Sequence, residues 1–250
     1  MAELGEASAW GAAVGFSLVL GALVAVFSGK HVRLAAEVTA FGGGVLLAAV
    51  ALELVPEADA EAGLGLTAAG MIGGTLVYVA IDAWLNRREE TKTTRDAMHR
   101  SAAGEKVSME ASRGESIAAG LFVDGVPESL ALGLTIAEGE VGLALLAGVL
   151  VGNVVEAYGA AQPMVAGGRS RGFAVGLLAA IGAALALATL AGGTVLADAP
   201  GEVVGTAQAV AAGAVLAVVS IAVVPHAFSE VSRTVAIATV LGFTAGYLLS

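Results

Sequence analysis

Ile117-Ala-Ala-Gly-Leu-Phe-Val-Asp-Gly-Val-Pro-Glu-Ser-Leu-Ala-Leu-Gly-Leu-Thr-Ile136 is long enough to cross a bilayer as a helix. Two carboxylates, Asp124 and Glu128, nevertheless sit inside it around Pro127. A charged side chain at the centre of a membrane helix costs roughly 2.5–3.5 kcal/mol on insertion scales. Some partner must offset that cost, and a bound cation is the simplest one. Pro127 also removes the helical hydrogen bond to the Val123 carbonyl, which places a freed oxygen beside Asp124.

The rest of the chain fits that setting. Of its 250 residues, 57% are hydrophobic and only 14% charged, against about 25% charged in a soluble domain. The mean hydropathy is +0.86. The 35 glycines suit helices packed through small residues. There is no cysteine, which excludes disulfides, thiolate metal sites and thiol redox motifs. A net charge of −10 does not suggest nucleic acid. The N-terminus, Met1 to Ser8, is acidic rather than basic, so the first apolar run reads as a retained helix and not as a signal peptide.

Apolar runs of spanning length fall at 8–28, 35–56, 64–85, 115–136, 141–165, 173–197, 203–227 and 231–249. They predict an all-α membrane protein with eight transmembrane helices in a single domain, 1–250. Odd-numbered loops carry all 12 basic residues, from Lys30 and Arg33 through the 86–114 segment and Arg169 and Arg171 to Arg233. Even-numbered loops carry acids: Glu57, Asp59 and Glu61, then Glu138 and Glu140, then Asp198 and Glu202. The positive-inside rule puts the basic loops in the cytoplasm and both termini outside a cell (plasma) membrane. The long 86–114 loop, mixed in charge, reads as a mobile cytoplasmic segment. Its His99, and His31 in the first loop, read as solvated surface residues.

Leu54-Val-Pro-Glu-Ala-Asp-Ala-Glu61, closing the second run, resembles Val223-Val-Pro-His-Ala-Phe-Ser-Glu230, closing the seventh. One would lie outside and the other inside. The pattern predicts an inverted repeat of helices 1–3 and 6–8, with helices 4 and 5 between them, as transporters often have. Four of the five prolines, Pro56, Pro127, Pro163 and Pro225, lie in or at the ends of these runs.

The polar residues of the spans form a constellation. Asp124 and Glu128 are four residues apart and share one face of the fourth helix. Asn153 and Glu156 follow in the fifth, with Tyr158 and Gln162 beyond; Glu53 and Glu57 stand in the second. No Lys or Arg lies at their depth, which leaves protons or a cation to neutralise them. Asp82, His226 and Glu230 mark a second cluster at the cytoplasmic ends of the third and seventh helices.

At this point the chain resembles a divergent member, of bacterial or archaeal type, of the ZIP family of metal-ion transporters. The family's His-Asn-x-Pro-Glu-Gly stands as Asp124-Gly125-Val126-Pro127-Glu128-Ser129, followed by Leu-Ala-Leu-Gly. Gly152-Asn153-Val-Val-Glu156 occupies the place of its fifth-helix motif, a polar pair followed three residues later by Glu. Glu53-Leu-Val-Pro-Glu57 resembles its Leu-His-x-x-Pro-Glu, with Glu53 at the histidine. The departures are Asp124 for histidine, Gly125 for asparagine, Gly152 for histidine, and a sixth run with no acid before Asp198.

The resemblance implies uptake of a divalent cation toward the cytoplasm, without catalysis or a permanently bound cofactor. It implies one metal site rather than two, of Asp124, Glu128 and Glu156 with Asn153 and Glu53. Glu57 would serve as the entrance and Asp82, His226 and Glu230 as the exit. An oxygen-rich site favours hard ions such as manganese or iron, and family membership keeps zinc in view. The resemblance also implies a homodimer, for which Gly70 and Gly73-Gly74 are candidate packing faces. Two other readings use the same residues: a proton or monovalent-cation pathway, and a metal sensor of this type that no longer transports. An intramembrane enzyme is disfavoured, because no Ser/His pair at matching depth and no His-Glu-x-x-His occurs.

Overall fold

A computed structural model describes residues 2–28, 32–103, 109–137, 143–195 and 199–250. Side chains at 2–4, 32, 84–103, 109, 110, 112, 113, 116, 123, 124 and 137 lie outside that description. The elements are α1 (Ala2–Phe27), α2 (Val32–Ala49), α3 (Val55–Ala103), α4 (Met109–Ala137), α5 (Leu143–Ala166), α6 (Arg171–Val195), α7 (Gly201–Val218), α8 (Val224–Val231) and α9 (Thr234–Leu249). No strand occurs among the described residues. Among the described residues six helical stretches are long and apolar enough to cross a membrane: 5–27, 33–83, 117–136, 143–166, 171–195 and 201–231. Thr234–Leu249 is a shorter apolar helix. The chain is an all-α, multi-pass membrane protein.

The 33–83 stretch is not one rod. Gly63 has φ 77° and ψ 159°, a conformation outside the helical region that glycine adopts without strain. It separates helix at 32–62 from helix at 64–103, and the Thr67 hydroxyl donates to the Gly63 carbonyl at 3.0 Å. Helix is continuous through Ala103 and resumes at Met109. The loop predicted at 86–114 falls largely on residues whose side chains lie outside the described set.

Two single turns of π-helix interrupt the bundle, Val50–Leu54 and Val219–Val223. Each is closed by an N–H donating five residues back, Val55 to the Val50 carbonyl and Val224 to the Val219 carbonyl. Each runs into a proline, Pro56 and Pro225. A helical proline lacks the N–H and its ring crowds the carbonyl four residues back. The wider turn relieves that crowding.

Packing relies on glycine. α1 crosses α6, α3 packs on α7, α2 on α9, and α4 and α5 on each other. A Cβ placed on Gly15 would lie 2.9 Å from the Gly182 carbonyl oxygen, and one on Gly182 would lie 2.6 Å from that of Gly15. Gly44 of α2 abuts the Thr239 carbonyl of α9, and Gly213 of α7 abuts the Met71 carbonyl of α3. Gly242 of α9 abuts Phe41 of α2, and Gly74 of α3 abuts Val210 of α7. Small residues let backbones approach this closely where no water exists to drive association. Gly70 and Gly74, expected as faces for a second protomer, are therefore buried against α7, while Gly73 faces open space.

The outward surface is apolar. Leu64, Ile72 and Leu76 on α3 and Ile237, Val240 and Leu248 on α9 are exposed. Polar side chains turn inward, among them Glu53, Glu128, Ser129, Asn153 and Gln208. One end of the bundle carries Arg33, Arg169, Arg171 and Arg233; the other carries Glu57, Asp59, Glu61 and Glu202. These are called the basic and acidic ends below.

Candidate cation site and its cavities

α4 and α5 supply the polar centre. Glu128 and Ser129 on α4 and Asn153 on α5 are buried. The Ser129 Oγ and the Asn153 Nδ2 have no hydrogen-bond partner. A buried polar atom left unpaired costs about 1–3 kcal/mol, so such atoms mark places where a bound species can enter. Asp124 lies one turn before Glu128 in the helix, but its side chain falls outside the described set. Among the described residues no group of three or more His, Cys, Asp and Glu side chains is close enough to hold a metal ion.

Glu156 faces a cavity of about 250 Å³, bordered also by Thr39, Gly120, Gly159, Ala222 and His226. A second cavity, of about 130 Å³, shares Gly159 and His226 and continues to Tyr158, Gln162 and Glu230. On α5 the sequence Glu156, Gly159, Gln162/Pro163 descends one helix face, which is why neighbouring cavities serve them. The structure thus places three sequence candidates on two neighbouring cavities, Glu156 on the first, Glu230 on the second and His226 on both. Asp82 borders neither cavity. Gly120 lies one turn before Asp124, so α4 presents the candidate aspartate's position in line with the first cavity.

Gly125 on α4 and Gly152 on α5 differ in what surrounds them. A Cβ on Gly125 would come within 2.5 Å of a Leu185 methyl on α6, whereas one on Gly152 would meet nothing. Gly125 is a packing position, and Gly152 is open.

The acidic end is organised by side chains. Both carboxylate oxygens of Glu53 accept from the first turn of α5, Oε1 from the Ala144 N–H at 3.3 Å and Oε2 from the Leu145 N–H at 3.4 Å. These donors have no helical acceptor of their own, and a carboxylate suits the positive end of a helix. Glu53, expected among the metal ligands, is therefore placed on α5 as a cap. Glu57 accepts from the Gln208 Nε2 at 3.1 Å. Gln208 is fully buried and was missed from sequence. Its signal was there, as a lone amide in the apolar 203–227 run.

Two contacts brace the basic end. Arg169 Nε pairs with Glu115 Oε1 at 2.6 Å, and its guanidinium lies 4.7 Å from the Phe173 ring centroid. A larger cavity, about 520 Å³, lies elsewhere, among Val77, Tyr78, Pro127, Leu130 and Val210. It is almost wholly apolar and contains none of the candidate ligands.

The geometry defines a multi-pass helical membrane protein with polar side chains buried between its helices. No family model matches the chain, and comparison with curated proteins gives no match.

Proposed function

We propose that the chain is a divalent-cation transporter of the kind it resembles in sequence, moving the ion from its acidic end to its basic, cytoplasmic end. The observation that carries this is the pair of neighbouring cavities that Glu156, His226 and Glu230 line. A carboxylate-lined passage in a membrane span serves an ion or a proton, because such groups are too costly there for packing alone. Asp124, Glu128 and Glu156, with Asn153, would provide oxygen donors, which suit manganese, iron or zinc as cargo. The amide of Asn153 can turn to present oxygen instead of nitrogen.

Eight spans and an inverted repeat belong to this reading. The 51-residue stretch Arg33–Ala83 would be ~77 Å long as a straight helix, over twice the ~30 Å hydrocarbon core. The break at Gly63 makes it two spans, and Thr234–Leu249 completes the eight. The two π-turns stand 169 positions apart, as do Leu54 and Val223 of the repeated motif. The glycine contacts exchange between halves too, at spacings of 169 positions for Phe41/Val210 and Gly44/Gly213 and 168 for Gly74/Gly242 and Met71/Thr239: Phe41 with Gly242 answers Val210 with Gly74, and Gly44 with Thr239 answers Gly213 with Met71. The Gly15–Gly182 contact would then lie at the pseudo-two-fold axis. Charge places the basic end in the cytoplasm and both termini outside.

The test is binding by purified protein. Manganese, zinc and iron(II) are titrated against thermal stability, since a ligand that binds only the folded state raises it. A shift in the wild type that Glu156→Ala removes supports the proposal. No shift with any divalent ion overturns it and favours a proton or monovalent-cation pathway through the same carboxylates. Binding without flux in vesicles would identify a sensor.

A further inference from the structure

The cavity of about 520 Å³ lies at the seam where α4 meets α3 and α7. Its size falls in the ~300–1,000 Å³ range of ligand pockets. α4 contributes Pro127, Leu130 and Leu134, a single face at successive turns. α4 packs chiefly on α5 and α6, and the cavity occupies its thinner contact with α3 and α7. The shape is long. On α3 the lining runs from Leu66 to Ile81, 15 positions and so about 22 Å of helix. That is most of the ~30 Å hydrocarbon core. The rim is open on the lipid side, because Leu66, Val77 and Ile81 of α3 and Val203 and Val210 of α7 are exposed on the apolar outer surface. In a membrane the fluid that reaches such a groove is hydrocarbon, and packed proteins leave few voids of this size unfilled.

Polarity is confined to one mouth. Glu202, exposed in the first turn of α7, borders the cavity at the acidic end. The Thr206 hydroxyl beside it is committed to its own helix, donating to the Glu202 carbonyl at 2.7 Å. A second carboxylate, that of Glu61, lies against Gly201, the neighbour of Glu202. The segments 57–63, 137–142 and 196–202 contain no Lys or Arg. A long apolar groove that ends at carboxylates matches an amphipathic molecule with a hydrocarbon tail and a cationic head. An anionic headgroup would meet only like charge there.

We propose that this cavity binds one phospholipid with an ammonium headgroup, of the phosphatidylethanolamine class, with an acyl chain between α3, α4 and α7 and the ammonium at Glu202. Lipid tails are as apolar as leucine, so a chain gains little hydrophobic energy by leaving the bilayer for the groove. Shape retains the tail, and the charge at Glu202 sets the preference for the head. The bound chain completes the packing of α4 at Pro127, the residue before the buried Glu128. It braces the helix that carries the candidate cation site. The assignment stands on the cavity and its charge, and needs no metal.

Native mass spectrometry of the full-length, delipidated protein tests it, with phosphatidylethanolamine and phosphatidylglycerol of the same chains added in equal amounts. Wild type should retain one phosphatidylethanolamine per chain, about threefold over phosphatidylglycerol, the scale of an exposed ion pair. Ala207→Phe, which puts a ring into the cavity, should lose the bound lipid. Val240→Phe, on the exposed face of α9, should keep it. Glu202→Gln should still retain a lipid but lower the preference between the two heads. Should Ala207→Phe not fold, Val77→Trp narrows the same cavity from its exposed rim. Retention of no lipid by wild type overturns the proposal, as does retention that both filling variants leave unchanged. Equal retention of the two lipids by wild type overturns it too, since the groove is then an unselective stretch of lipid-facing surface. So does a lipid-free dimer that Ala207→Phe dissociates, which gives the groove to a second copy of the chain.

Discussion

Removing the Glu53 carboxylate should weaken the whole bundle by a small, calculable amount that does not depend on metal. Its bonds to the Ala144 and Leu145 N–H groups are 3.3 and 3.4 Å, just beyond the ordinary 2.7–3.2 Å range. Each is therefore worth less than the ~1.5–3 kcal/mol of a short bond to a charged group. Two such bonds give about 1–2 kcal/mol, in line with the ~0.5–2 kcal/mol measured for loss of a helix N-cap. For a chain of this size that is a fall in Tm of about 3–6 °C. The assay is thermal unfolding followed by circular dichroism in detergent, in chelator and again in excess Mn²⁺. Glu53→Ala should lose the same amount in both, and Glu53→Gln, which keeps one acceptor, about half. Equal Tm for Glu53→Ala and wild type in chelator, with the metal-induced shift abolished, would refute the capping role and make Glu53 a ligand.

Three further outcomes follow from packing and charge. Gly74→Ala, which drives a methyl into the Val210 carbonyl, should cost about 1–3 kcal/mol, whereas Gly73→Ala, facing open space, should leave the melting curve unchanged. Gly125→Asn should be destabilising by a similar amount because of Leu185, and unfolding measurements on the double variant with Leu185→Ala should find less than the sum of the two single losses. Arg169→Ala removes a one-third-exposed ion pair with Glu115 and a contact with Phe173, so it should cost only about 1 kcal/mol, with the loss shrinking when the melt is repeated in high salt.

Hydropathy and charge made the spans legible, because a bilayer demands about 20 apolar residues in a row and sorts Lys and Arg to one side. Glu57, Asp59 and Glu61 marked a boundary between the second and third runs, and the helix breaks close by, at Gly63. The match of Leu54–Glu61 with Val223–Glu230 pointed to a repeat, but not to the π-turns, which come from proline crowding inside a packed helix. Glu156, His226 and Glu230 were legible as expensive residues at graded depths. The two neighbouring cavities they line were not, since the first depends on Gly120, Gly159 and Ala222 leaving space. The partners of the Glu53 carboxylate were not legible for a physical reason: they lie at a helix N-terminus, and backbone N–H groups carry no mark in sequence. Gln208 was missed because its meaning lies in Glu57, 151 positions away.

The central statement is that Glu156 stands on a route for a divalent ion. Purified protein in liposomes, with a metal-sensitive dye inside and Mn²⁺, Zn²⁺ or Fe²⁺ outside, measures it directly. Wild type should load the vesicles with at least one of these ions, and Glu156→Ala and Glu128→Ala, folded and monodisperse, should reduce the rate to that of empty liposomes. Undiminished uptake in Glu156→Ala would place the route elsewhere in the bundle.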